Sequence, residues 1–271
     1  MPYLCKKYNM NIHFEDKILF EKLKSATIVR CLVGSRCYGT HTLDSDHDYL
    51  YIYATSENEL NSFITTHHQL QYKEDGIDYN FVSLHSFLKN TLNGDSTINF
   101  EVINSDALIG TELEFLNENK KSFLTYTMVR SMLGLARRDI KHFFRAETEY
   151  DKLKRLKHIV RGYLYSVDMI NGCFDFNDCN KRLLDIELNV SSNKQLKEYE
   201  GLISNLRNEL TEKFNGKTLG LAQKFNVEDG IELNKLFTKY CLSYDFKMRQ
   251  LHLSDFDMSM FINSFENWVE Y

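Results

Sequence analysis

Two carboxylates one residue apart, Asp46 and Asp48, stand at the head of the β-branched and aromatic run Tyr49-Leu50-Tyr51-Ile52-Tyr53. Side chains alternate along a strand, so these acids share one face and His47 takes the other. Upstream, the apolar run from Thr27 to Val33 stops at Gly34-Ser35, followed by Arg36. Paired carboxylates at a strand edge, opposite a Gly-Ser turn, can form a hard-cation site facing a phosphate-sized gap. Glycine admits backbone N–H groups close to phosphate oxygens, Ser35 adds a hydroxyl and Arg36 a fork of donors. A third acid, Asp78, lies in Gly76-Ile77-Asp78-Tyr79-Asn80-Phe81, on the face opposite Ile77, Tyr79 and Phe81. Placed beside the pair, it could hold a cation and draw the proton from an attacking hydroxyl. Such a set suits nucleotidyl transfer, in which two divalent ions neutralise a triphosphate and align the attacking oxygen. Mg²⁺ or Mn²⁺ fits the oxygen donors.

The charge distribution supplies a second half. The chain carries a net charge of -5, yet the segment from Arg130 to Arg161 holds ten basic residues against four acidic ones. Within it Lys154, His158, Arg161 and then Tyr165 recur on one helical face, a cationic stripe able to meet phosphates or simply to face solvent. Arg137 and His142 have the spacing of a ribonuclease motif found in helical partners of small nucleotidyltransferases, but that spacing is common on any basic helix. The tyrosines at 49, 51 and 53 read as sheet packing before a base-stacking platform. His41, His47, His67 and His68 read as loop and surface residues.

These side chains need a sheet and a helical wall to position them. The 271 residues allow one large domain or two modest ones, and 43% hydrophobic with 26% charged content is ordinary for a globular chain. One proline and 12 glycines leave no flexible linker and favour helix. Periodicity predicts a helix over 14–25, strands over 27–33 and 46–53 flanking a turn-rich loop at 34–44, and a short helix at 57–63. A hairpin over 68–73 and 77–82 follows, then a helix over 83–92 capped by Ser83; residues 97–103 suit a short strand or a helix start. From Leu108 onward the pattern is helical. Leu153, Leu156, Val160, Leu164, Val167 and Ile170 form one stripe on a helix ending at Asn171-Gly172, with further helices at 194–214, 228–242 and 258–269. The expected organisation is a mixed α/β (α+β) domain over 1–110 followed by an all-helical domain over 111–271. Six cysteines without a C-x-x-C pair point to reduced thiols, and no run is long enough for a membrane span or signal peptide, so a cytoplasmic protein is expected.

Gly34-Ser35, ten residues, then Asp46-His47-Asp48 resembles the nucleotidyltransferase signature of the polymerase-β superfamily. The longer string, Gly34-Ser35-Arg36-Cys37-Tyr38-Gly39-Thr40 with Asp44-Ser45-Asp46-His47-Asp48, is similar to predicted nucleotidyltransferases of RNA repair pathways. Asp78, the segment from Gly94 to Glu101, and Lys154-x-x-x-His158-x-x-Arg161 followed by Gly172 extend the resemblance over about residues 27–172. Thr42-Leu43-Asp44 departs from it, since the family often has proline there. The resemblance implies a polymerase-β-like mixed sheet with flanking helices and transfer of a nucleoside monophosphate from an NTP, ATP first, to a hydroxyl. Catalytic and metal-binding roles fall on Asp46, Asp48 and Asp78, and nucleotide binding on Gly34, Ser35, Arg36, Lys154, His158 and Arg161. The implied acceptor is an RNA 3′ end such as tRNA or a repair substrate. A protein-modifying AMP transferase and a non-catalytic nucleotide- or RNA-binding module are the alternatives.

Overall fold

The computed structural model describes residues 14–53 and 70–221, apart from Asp44, Asp75, Asp95, Glu112 and Thr218. The helices expected at 57–63, 228–242 and 258–269, and the start of the strand expected at 68, lie outside the described residues.

Helix α1 (Phe14–Ser25) leads into β1 (Thr27–Val33), where β-branched and aliphatic residues favour extended chain. The strand stops because Gly34 takes a left-handed φ of +70°, and Gly34–Cys37 winds into a single helical turn, α2. Sequence periodicity treated this stretch as loop, since four residues are too few to show a helical period. Strands β2 (His47–Tyr53), β3 (Leu70–Glu74) and β4 (Ile77–Ser83) complete a four-stranded mixed sheet in the order β1-β2-β4-β3. β1 and β2 are antiparallel, as are β3 and β4, whereas β2 and β4 are parallel.

Helix α3 (Leu84–Asn93) starts at Ser83, whose hydroxyl accepts from the Ser86 N–H, and ends at left-handed Gly94. Residues 97–103, open between strand and helix in the sequence, form helix α4 (Thr97–Asn104), with Ser96 capping the Asn99 N–H. A short α5 (Glu114–Glu118) leads to the long pair α6 (Tyr126–Phe143) and α7 (Glu149–Ile170), capped by Thr125 and Thr148. Helices α8 (Phe176–Asp185) and α9 (Lys194–Asn215) follow. Among the described residues no helix is long and apolar enough to cross a membrane.

The two sheet faces have different fates. Val29, Cys31, Val33, Leu50, Ile52 and Val82 join a core that continues through α3, α4, α6, α7, α8 and α9. The opposite face buries Tyr51, Tyr53 and Phe81 under Phe20 and Leu23 of α1. The tyrosine row is therefore packing, with Phe20 edge-on to Phe81 at 5.7 Å between ring centroids. One cluster thus takes residues from both sides of position 110. α7 is buried more widely than its single stripe suggested: Ile159, Tyr165 and Met169 are as inaccessible as Leu156 and Val160, because the helix packs against α6, α8 and α9.

Candidate functional site

By strand parity, Asp48 shares its face with Leu50 and Ile52, and Asp78 shares its face with Asn80 and Val82. Both acids therefore lie on the face toward the helical core, at the strand ends where that core gives way to a cavity. Register places Asp48 opposite Asp78 on parallel β4 and opposite Val33 on β1. Asp46 sits just before β2. All three line one cavity of about 440 Å³, together with Gly34, Ser35, Tyr38 and Ser45 on the sheet side and Arg138, Lys154, Lys157, His158 and Arg161 on the helical side.

Gly34 fits this place for two reasons. Its φ is left-handed, and a Cβ there would run into Asp48 Oδ2. The turn and the second acid are thus packed against one another. Asp48 is half-buried; burial first, then the charge of Asp78, pushes its carboxyl above the ordinary range. Asp46, more exposed, is held below it by a hydrogen bond from Lys73.

Lys73 was not singled out in the sequence. It lies on edge strand β3 directly opposite Asp78, and its ammonium stands 2.5 Å from Asp46 Oδ2 and 2.9 Å from Asp78 Oδ1. Both contacts raise its own pKa. Among the described residues no three His, Cys, Asp or Glu side chains converge as a metal cluster, and Asp46 and Asp78 both pair with this ammonium. The donor set nevertheless fits a divalent cation. It offers three carboxylates, an oxygen of Asp78 that is buried with no properly oriented hydrogen bond, and a bridging position already taken by positive charge.

Of the six residues expected to bind nucleotide, Gly34, Ser35, Lys154, His158 and Arg161 line the cavity. Arg36 does not. Its guanidinium donates to the carbonyls of Ser45 (2.8 Å) and Asp46 (3.3 Å), stapling the turn to the loop that presents the acids. Lys154 is exposed, makes no ion pair with a described residue, and its charge draws down both Asp46 and Asp48. Arg161 is different: it is buried, with its guanidinium 3.7 Å from the Tyr38 ring centroid and Nε 3.6 Å from Glu101 Oε1.

Glu101 also accepts a 2.5 Å hydrogen bond from the Tyr38 hydroxyl. Burial lifts its carboxyl above the ordinary range against the opposing pull of Arg161 and Tyr38. Behind the cationic wall, Asp139 of α6 pairs with Arg155 and His158 of α7. Tyr38 and Glu101 were legible only as parts of motif strings. The links from Asp139 to α7 and from Lys73 to the acids left no trace, since both join residues that only tertiary packing makes neighbours. Arg137 is exposed, and neither it nor His142 lines this cavity.

Residues 13–223 match the model of a family described as the RNA repair pathway DNA polymerase beta family. Among solved structures, a nucleotidyltransferase-like protein from Exiguobacterium sibiricum 255-15 is similar at 14% identity over 73% of each chain, with a TM-score of 0.27. No curated protein matches the sequence.

Proposed function

The chain belongs to the RNA repair pathway DNA polymerase beta family, and from that premise we propose that it transfers a nucleoside monophosphate from an NTP to a hydroxyl, releasing pyrophosphate, with an RNA 3′ end as acceptor. The observation that carries the reading is the two-sided cavity, with Asp46, Asp48 and Asp78 on the sheet wall and Lys154, Lys157 and His158 on the helical wall. A triphosphate needs cations on both sides, and an attacking hydroxyl needs a nearby carboxylate. Lys154 and Lys157 would meet the β- and γ-phosphates, with Gly34 and Ser35 allowing close backbone approach. Asp78 would take the acceptor proton. Asp46, Asp48 and Asp78 would hold Mg²⁺ or Mn²⁺ in place of the Lys73 ammonium, and the ion would supply charge neutralisation at the phosphates.

In this reading residues 1–110 supply the acidic wall and 111–271 the basic one. Arg130, Arg137, Arg138 and Lys141 are exposed along α6 and Arg145 just past its end, a basic surface beside the cavity that suits a polyanionic acceptor. Cys31, Cys37, Cys173 and Cys179 are free thiols, in keeping with a reducing cytoplasm. The test is transfer of label from each α-³²P NTP, ATP first, in Mg²⁺ or Mn²⁺, with total RNA and cell extract as acceptors. Label entering RNA and lost in the D46A/D48A double variant is the expected result. Label entering protein would transfer the reading to protein AMP modification, and label that survives the double variant would overturn it.

A further inference from the structure

The transfer scheme leaves two acids of the cavity unused, Glu101, which pairs with Arg161, and Asp139. Asp139 is 1% exposed and carries Arg155 Nη1 at 3.0 Å from Oδ1 and His158 Nδ1 at 3.5 Å from Oδ2. Oδ2 is buried with no completed hydrogen bond, so the imidazole nitrogen is the donor placed to satisfy it. A neutral imidazole that turns its Nδ1–H to Asp139 has Nε2 as its free basic nitrogen, and His158 lines the cavity. The charged groups acting on His158 are Asp139 from α6 and Arg155 and Arg161 from its own helix. Burial leads in holding the free imidazole below its ordinary range, and the two arginines add to this against the pull of Asp139. A polyphosphate entering the cavity would reverse that balance by bringing negative charge to the arginine side.

We propose, resting on the nucleotidyl-transfer reading, that Asp139 is a positioning residue that fixes the His158 tautomer, and that His158 gains a proton at Nε2 when the triphosphate enters and gives it to the departing pyrophosphate. The bond from the acceptor oxygen to the α-phosphorus forms as the bond to the bridging oxygen breaks. The electron pair stays on that oxygen, which takes the Nε2 proton. The acceptor hydroxyl's own proton goes to Asp78, and His158 ends neutral.

The test is calorimetric binding of α,β-methylene-ATP with Mg²⁺ near pH 7, in buffers of different ionisation enthalpy, which counts protons taken up. Wild type is expected to bind with net uptake, H158Q to bind without it, and D139N to bind with less. H158Q should lower kcat by about 10²-fold. D139N should lower kcat and shift its pH profile, with KM for the nucleotide nearly unchanged. Wild-type binding without uptake, or equal uptake by H158Q, overturns the inference while leaving nucleotidyl transfer intact. Failure of the analogue to bind at all removes the underlying reading and the inference with it. If D139N does not fold, wild type and H158Q still decide.

Discussion

Gly34→Ala separates two costs that the structure places at one residue. The first is conformational: an L side chain at φ +70° costs about 1–2 kcal/mol. The second is steric. The new Cβ would overlap Asp48 Oδ2 and lie 3.0 Å from Asp48 Cγ and 3.2 Å from Asp48 Cβ, so the whole side chain must move and not only its tip. Asp48 cannot retreat with its backbone, because β2 is paired on both edges. Forcing the carboxylate off its rotamer adds about 0.5–1.5 kcal/mol. Gly110 supplies the control, with φ +72° and nothing within 4 Å of a built Cβ, so Gly110→Ala carries the first cost alone. Urea denaturation should place G34A about 1 kcal/mol below G110A, and melting temperatures should fall in the same order, by about 2–4 °C for each kcal/mol in a chain of this size. Transfer is the sharper readout. Displacing a reacting-site carboxylate by about an ångström costs on the order of 10²-fold in rate, whereas G110A should transfer at the wild-type rate. G34A matching G110A in stability and wild type in transfer would show that the Asp48 carboxylate does not lie against the turn.

Asp48→Asn should abolish transfer yet stabilise the fold at neutral pH. The Asp48 pKa is raised by burial and then by Asp78, so its stabilising contribution is present below the unfolded-state pKa and lost as pH rises through the folded-state value. The advantage of D48N in thermal melts should therefore shrink as pH falls into the acidic range. Lys73→Met removes the ammonium that competes for Asp46 and Asp78; Mn²⁺ should bind about two- to fivefold more tightly by electron paramagnetic resonance, the scale of an exposed ion pair. Arg161→Met leaves buried Glu101 without its guanidinium and should cost about 3–5 kcal/mol in urea denaturation, part of which R161M/E101Q should recover.

Much of the sheet wall was legible because its signals are local. Asp46 and Asp48 are read by strand parity, Gly34-Ser35 by the break it makes after Val33, and Asp78 by its polar place among Ile77, Tyr79 and Phe81. Register then set Asp78 beside Asp48 on the neighbouring strand. The helical wall was legible as a stripe but not as a depth. Lys154, His158, Arg161 and Tyr165 lie along one face of α7, yet that face runs from exposed Lys154 to fully buried Tyr165. Periodicity reports which residues share a face and says nothing of how far along the helix a neighbour covers it. Arg36 shows the same limit in a loop. A guanidinium beside a phosphate turn looks like a phosphate fork until the carbonyls of Ser45 and Asp46 come within its reach.

The burial of Arg161 changes what the site can use for phosphate. A guanidinium against Tyr38 and paired to Glu101 is held in place and partly neutralised, so it acts as a fixed floor more than as a grasping cation. In the proposed transfer that leaves Lys154 and Lys157, which line the cavity and make no ion pair with a described residue, as the side chains able to follow the departing pyrophosphate. The same network does a second task. Tyr38 caps the helical turn that Gly34 begins, with its N–H donating to the Gly34 carbonyl at 3.2 Å, while its hydroxyl reaches Glu101 and its ring meets Arg161. One buried carboxylate thus ties the glycine turn of the sheet to the basic helix of the other wall. A change at Tyr38, Glu101 or Arg161 should therefore alter the spacing of the two walls as well as stability. On this reasoning Tyr38→Phe, which keeps the ring under Arg161 and removes only the hydroxyl, separates the tie to Glu101 from the packing.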